Sequence, residues 1–308
     1  MRLIVAFLTL VRWRNLFFLA LTQSLFQFAI FEPLYAGAVP AGDLTRFLLL
    51  VLASLFIAAG GYVINDYFDI NIDEVNRPGR MVVDKLIRRR WAIAWHFMLS
   101  GGGIVLTALA LPIGSHGFLW LANTGCVVLL WLYSTRFKKS LLTGNIVISL
   151  LTAWSILIIF LSKRDLATTF DPVHVRFFRL ALLYAGFAFI ISLIREAIKD
   201  MEDLPGDARY GCRTMPVVWG INATKVYVGV WIVVLMAVLL VLQAYVLQFG
   251  WWWSVGYCLL SLVLPLGILL AGLRKSHTPA AFHRLSSLTK WIMLAGILSM
   301  LFFAFYLP

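Results

Sequence analysis

Nine apolar runs leave this chain few ways to fold. They cover roughly residues 13–37, 44–64, 91–112, 118–133, 142–161, 177–194, 226–247, 252–273 and 288–307. Most are near the ~20 residues that one membrane-crossing helix needs, and only the fourth is short. Backbone in hydrocarbon must satisfy its own polar groups, so runs of this length read as helices. Pro112, Gly114 and Pro205 mark breaks, and Pro265, inside the eighth run, predicts a kink. The expected fold is an all-α membrane protein of about nine transmembrane helices in one bundle, a single domain over residues 1–308.

The bulk composition agrees. Of 308 residues, 62% are hydrophobic and only 13% charged, with a mean hydropathy of +0.90. A soluble domain of this length does not need that much apolar material. A formal charge of +12 would raise nucleic acid as a partner for a soluble chain. Here the basic residues lie between apolar runs, so membrane lipid and the positive-inside bias account for them, and no nucleic-acid partner is expected. Cys126, Cys212 and Cys258 are odd in number and without metal-ligand spacing, so they read as packing residues. The first run, with Arg12 and Arg14 at its start and Ala36-Gly37-Ala38 at its end, imitates a secretory signal. It is long for one, and it contains Gln23, Gln27 and Glu32. It reads instead as an uncleaved first span whose polar residues face the bundle interior.

Lys and Arg positions give an orientation. The N-terminus and the loops after spans two, four, six and eight hold 21 of the 26 basic residues, and the opposite side holds Arg46, Lys163, Arg164, Arg176 and Arg179. The richer side is expected to be cytoplasmic, with the C-terminus on the other.

Carboxylates are scarce and gathered. Of 14, five fall at Asp66, Asp69, Asp73, Glu74 and Asp84, and five at Glu196, Asp200, Glu202, Asp203 and Asp207. Both groups follow span ends on the basic side. In Asn65-Asp66-Tyr67-Phe68-Asp69-Ile70-Asn71-Ile72-Asp73, helical spacing puts Asn65, Asp66, Asp69 and Asp73 on one face. Like charges stacked so closely weaken their own helix unless a cation sits among them. Hard oxygen donors suit Mg²⁺, which keeps several waters and is commonly completed by substrate phosphates. In the second group Glu196, Asp200, Asp203 and Asp207 share a face, although Pro205-Gly206 is expected to break the helix before Asp207. The plainer reading of that segment is a salt-bridged helix end using Arg195 and Lys199. Two carboxylate walls around magnesium would instead grip a diphosphate. Tyr133, Arg136 and Lys138 after the fourth span, and Arg77 after the first acidic group, offer further contacts to phosphate oxygens, or are ordinary interfacial residues.

Asn65-Asp66-x-x-Asp69-x-x-x-Asp73 followed by Asn76-Arg77-Pro78 resembles the first aspartate-rich motif of the UbiA superfamily of intramembrane prenyltransferases. Asp203-Leu204-Pro205-Gly206-Asp207 resembles its second, and Gly211, Thr214 and Gly220 sit where that family has small or hydroxyl residues. The resemblance covers essentially the whole chain and implies nine helices around a cavity open to the cytoplasmic side. It implies Mg²⁺–diphosphate binding by Asn65, Asp66, Asp69, Asp73, Asp203 and Asp207, with Asp200 a further metal ligand. It implies diphosphate contacts from Arg77, Tyr133, Lys199 and one of Arg136 and Lys138, which stand three and five residues after Tyr133 where the family has a lysine at four. The segment Arg195-Glu196-x-x-Lys199-Asp200 is most similar to the geranylgeranylglycerol-phosphate geranylgeranyltransferase branch.

The activity so implied is Mg²⁺-dependent transfer of a prenyl group from an allylic prenyl diphosphate to a hydrophobic acceptor, geranylgeranylglyceryl phosphate or an aromatic quinone precursor. A cation-coupled secondary transporter is the rival from another class, but its carboxylates belong near the membrane midplane rather than at span ends. On the enzyme reading, Asp69→Ala and Asp203→Ala abolish transfer while the protein still inserts and folds. Normal turnover by either purified variant would remove the acidic residues from the reaction.

Overall fold

The computed structural model describes residues 2–35, 39–76, 82–163 and 172–306. Among the described residues eleven helices of seven residues or more follow in order: α1 (Arg2–Leu10), α2 (Trp13–Tyr35), α3 (Asp43–Phe68), α4 (Ile70–Asn76), α5 (Arg89–Ala110), α6 (Ile113–Thr135), α7 (Thr143–Leu161), α8 (Pro172–Arg209), α9 (Gly220–Leu247), α10 (Trp252–Lys275) and α11 (Pro279–Tyr306). Among the described residues nine of these, all but α1 and α4, are long and apolar enough to cross a membrane. The chain is an integral multi-pass membrane protein. No strand forms among the described residues beyond an isolated bridge between Val83 and Ile87.

Three local expectations meet different outcomes. Pro265 does disturb its helix: a wide π turn over Leu259–Val263 holds Ser261, whose carbonyl the proline ring would otherwise strike. Pro33 has the same arrangement, with Ala29 inside a π turn over Phe26–Phe31. Gly114 does not break the fourth span. That helix runs 23 residues from Ile113, with only His116 leaving helical geometry. Pro205-Gly206 does not end the sixth span either, because α8 continues through both to Arg209. One lost backbone bond is a small debt in a 38-residue helix, and a side chain from α4 braces the turn where it falls. At 1.5 Å per residue α8 is about 57 Å long, well beyond a ~30 Å hydrocarbon core, so its acidic end projects past the apolar part.

Polar residues of the spans point inward, as lipid requires. Gln23 is fully buried and its Nε2 donates to Ser54 Oγ at 3.0 Å and to the Ser155 carbonyl at 2.8 Å, tying α2 to α3 and α7. Gln27 donates to Asp43 Oδ2 at 2.9 Å. Asp43 also accepts from Lys163 Nζ at 2.5 and 2.7 Å, and that ammonium lies 4.5 Å from the centre of the Phe31 ring. Lys163 is therefore no loop cation, being 2% exposed. Around this pair Phe26, Phe31, Phe160 and Phe177 pack ring to ring, with centroids 5.1–5.4 Å apart. Ile156, Tyr184 and Met300 belong both to this aromatic cluster and to the lining of a central cavity, so the cluster floors the cavity.

Removing one member of a buried ion pair strands the other, at about 3–5 kcal/mol. Lys163→Met is expected to lower the melting temperature in detergent strongly. Adding Asp43→Asn should recover part of that loss, and an unchanged melting temperature in the single variant would contradict the pairing.

Candidate active site

The cavity has a volume of about 320 Å³ and receives side chains from both acidic stretches. Asn65, Asp69 and Asp73 line it from the α3–α4 junction, and Asp200, Asp203 and Asp207 line it from α8. α3 ends at Phe68, yet Asp69 donates its backbone N–H to Asn65 at 3.0 Å and accepts from Asp73 at 2.8 Å. The four-residue spacing thus survives the change of helix, and the side chains stay on one face.

What joins the two stretches is Asn76, the last residue of α4. Its Nδ2 donates to the Asp203 carbonyl at 3.0 Å, and its Oδ1 accepts from the Gly206 N–H at 2.9 Å. A side chain at Gly206 would forbid this, since a Cβ there would lie 2.5–2.7 Å from the Asn76 amide. Gly206 is therefore a point of close approach between the two stretches, and Pro205 sits beside the brace that keeps α8 helical.

Asp69, Asp200, Asp207 and Glu196 each have their own support. Asp69 is 2% exposed and accepts from Asn65 Nδ2 at 2.6 Å and from Lys138 Nζ. Burial opposes the charge on Lys138, but Asp69 outweighs it and lifts the lysine pKa above its ordinary value. Lys138 is a fixed cation. Asp207 accepts from Thr214 Oγ1 at 3.1 Å, and Asp200 from Asn145 Nδ2 at 2.8 Å. Glu196 accepts from Arg195 Nη1 at 2.8 Å and Lys199 Nζ at 3.0 Å, which is the salt-bridged helix end read from the sequence.

Of the pair left open, Lys138 lines the cavity beside Tyr133, whereas Arg136 is exposed and does not line it. The helix stops at Thr135 and a 3₁₀ turn over Phe137–Lys139 follows, so helical spacing from Tyr133 no longer applies. The turn is pressed against the start of α7 at Gly144, where a Cβ would lie 2.8 Å from the Phe137 carbonyl oxygen. The Arg213 N–H donates to the Lys139 carbonyl at 2.8 Å, linking this loop to the segment after α8. Asp66 does not join the other aspartates. It accepts from Arg12 Nη2 at 2.7 Å and lies outside the cavity lining. Lys199 lines the cavity with its ammonium bound to Glu196, and Arg77 lies outside the described residues.

Asn76 and Asn145 had no assigned role in the sequence. Asn76 does follow Asp73 by three residues on the same helix, which is the signal that it shares that face. Asn145 reaches Asp200 from α7, and Arg12 and Lys290 come to the cavity from the α1–α2 turn and α11, with no local pattern to announce them.

The donors suit a magnesium ion completed by substrate. Among the described residues no three acidic, His or Cys side chains form a ready-made metal cage. Mg²⁺ takes one or two carboxylates plus phosphate oxygens and water, and needs no such cage. The Oδ1 of Asn65 is buried without a hydrogen-bond partner among the described residues, in the wall that also holds Asp69 and Asp73. A hard acceptor left so in an acidic wall fits an ion that arrives with its substrate.

Comparison with known proteins points the same way. A model of the UbiA prenyltransferase family matches residues 24–291. The digeranylgeranylglyceryl phosphate synthase of Methanospirillum hungatei is 35% identical over 190 residues, 61% of this chain and 61% of its own length. The enzyme of that name from Methanoculleus marisnigri is 31% identical over 227 residues, 74% of each chain. Against several of these relatives the match thus spans about 60% of their length. A solved structure of a UbiA homologue from Archaeoglobus fulgidus, bound to GPP and Mg²⁺, has a TM-score of 0.58 at 16% identity, over 96% of this chain and 99% of its own. The apo structure of a UbiA homologue from Aeropyrum pernix has a TM-score of 0.63 at 16% identity, over 92% and 97%. At such identities the shared property is the fold.

The clamp around Gly206 carries a direct test. Gly206→Ala is expected to cost about 1–3 kcal/mol of stability through overpacking, with transfer activity falling together with the melting temperature. Asn76→Ala in the same chain vacates the space and should return part of the stability. A Gly206→Ala protein as stable and active as the parent would show that the approach is not tight.

Proposed function

Because the chain belongs to the UbiA prenyltransferase family, we propose that it transfers a prenyl group from an allylic prenyl diphosphate to geranylgeranylglyceryl phosphate. The whole of 1–308 serves as one such domain. The observation that carries this reading is the single cavity shared by Asn65, Asp69 and Asp73 with Asp203 and Asp207, floored by apolar side chains. The names of the curated relatives support the acceptor. The basic-side count supports a cavity mouth, N-terminus and aspartates in the cytoplasm and a C-terminus on the other face.

In this reading Asp69, Asp73, Asp203 and Asp207, with Asn65 Oδ1, would hold the magnesium, and Asp200 stands behind them on Asn145. When bound, the ion neutralises charge on the diphosphate as it leaves. Lys138 adds a fixed positive charge at the same place, and the Tyr133 hydroxyl offers a neutral donor, both aimed at charge that develops in the transition state. The bond between prenyl C1 and the diphosphate oxygen breaks, and the diphosphate departs with the electron pair. An acceptor hydroxyl oxygen then bonds C1 and releases its proton, giving an ether. Between these events the allylic cation must not meet water. The prenyl chain fits among Leu130, Ile148, Leu151 and Phe187, which line the cavity below the aspartates.

The test is to incubate detergent-solubilised protein with labelled geranylgeranyl diphosphate and geranylgeranylglyceryl phosphate, and identify the lipid product by mass spectrometry. A phosphorylated diether is expected. EDTA should abolish its formation and added Mg²⁺ restore it. Product formed equally well in EDTA, or prenylation of an aromatic acceptor alone, would overturn the proposal.

A further inference from the structure

The same cavity carries a second charged group that the steps above leave idle. Arg12 enters it from the turn between α1 and α2, Arg195 from α8 and Lys290 from α11. With Lys199 they are four cations, and the carboxylates bonded to them are two, Glu196 and Asp66. Glu196 is shared by Arg195 and Lys199, and Asp66 is taken by Arg12. Lys290 makes no hydrogen bond or ion pair with any described residue, although Arg195, Lys199, Arg12 and Glu196 all lie within range of its charge. Arg195 Nε is buried and has no partner among the described residues. Arg12 reaches the cavity from a left-handed backbone conformation, φ 52° and ψ 53°, which a bulky side chain adopts only under constraint. Like charges brought from three separate elements into one largely apolar chamber repel, unless an anion completes the group.

Two anions enter on the proposed reaction, and they differ in what they need. A diphosphate that travels with magnesium is met by carboxylates, as at Asp69 and Asp203. A bare phosphate monoester carries close to two negative charges and would be repelled by those aspartates. It is matched instead by a surplus of two cations with arginine forks, whose planar N–H pairs fit phosphate oxygens. We propose that Arg195, Lys290 and Arg12 form a separate subsite that takes the phosphate monoester of the acceptor, while Lys199 stays with Glu196. This rests on the reading above and adds to it the residues that select a phosphorylated acceptor.

The experiment uses the full chain in detergent and has two arms. In the first, glycerol phosphate is titrated calorimetrically without any prenyl diphosphate. Binding is expected in the parent. It should weaken roughly tenfold or more in Lys290→Gln and in Arg195→Gln, as the loss of a charge-assisted contact implies, and largely return in Lys290→Arg. In the second, steady-state transfer is measured. The KM for geranylgeranylglyceryl phosphate should rise roughly tenfold or more in both glutamine variants, with the KM for geranylgeranyl diphosphate held within about twofold. Glycerol phosphate that binds both variants as it binds the parent, or a KM rise that falls on the diphosphate, overturns the subsite. If the parent performs no prenyl transfer, the proposed function falls by itself, and the binding arm still decides whether Arg195 and Lys290 hold a phosphate.

Discussion

Several carboxylates in one small cavity with a largely apolar wall repel one another, and most of the local architecture answers that repulsion. Two like charges a few ångströms apart cost on the order of 4 kcal/mol at the screening typical near a protein surface. A neutral hydrogen bond returns about 1 kcal/mol. The amides and hydroxyl of Asn65, Asn145 and Thr214 can therefore orient the carboxylates, but they cannot hold them together. That requires cations and leverage from the packed helices that carry them. Lys138 supplies one charge at Asp69. The leverage comes from Asn76, which binds the backbone of α8 on both sides of Pro205 and so fixes the distance between the two walls without touching their charges. Such a clamp on the backbone is neutral and uses none of the carboxylate oxygens.

The two ends of the bundle treat charge in opposite ways. At the floor, Asp43 and Lys163 satisfy one another inside an aromatic shell, with Gln27 taking a further lone pair. Both charges there have partners, and the group left over among the described residues is a neutral one, Gln27 Oε1. At the mouth, charges are paired incompletely: Lys290, Arg195 Nε and Asn65 Oδ1 lack partners among the described residues. Leaving such groups unpaired costs stability, and a chain tolerates that where a substrate supplies the missing partners.

Much of this was legible in the sequence, and the exceptions share a cause. The spans follow from the length of apolar runs, because a lipid-facing helix has no alternative way to satisfy its backbone. Gln23 and Gln27 belong inward for the same reason, and both are buried. The acidic walls were visible because carboxylates are rare elsewhere. What misled was local rules overruled by distant contacts. Pro205-Gly206 reads as a stop, but Asn76, some 130 residues away, uses the glycine and braces the helix. Asp66 shares a helical face with Asp69 and Asp73 in an ideal helix, yet Arg12 draws it out of the cavity. Lys138 prevails over Arg136 because a 3₁₀ turn, set by the contact with Gly144, replaces helical spacing after Thr135. The group of Arg12, Arg195 and Lys290 had no signature at all, since each is one basic residue among many on the basic side of the chain.

On the proposed reaction the chamber would hold two phosphorylated molecules at once, a problem that neither a purely acidic nor a purely basic site solves. Cations alone would grip both anions without distinguishing them, and would hold the departing diphosphate after reaction. Carboxylates alone would reject the acceptor. Putting the aspartates with Lys138 in one group, and Arg12, Arg195 and Lys290 in another, would make the metal the discriminator: an anion that brings magnesium would be met by oxygen donors, and one that does not by nitrogen. Glu196 belongs to the second group, where it neutralises Lys199 and part of Arg195 and lowers the surplus to what one monoester can balance. Without it, the basic group would compete with the aspartates for the diphosphate itself. The salt-bridged helix end that the sequence suggests at Glu196 would thus be the device that keeps the two phosphates apart.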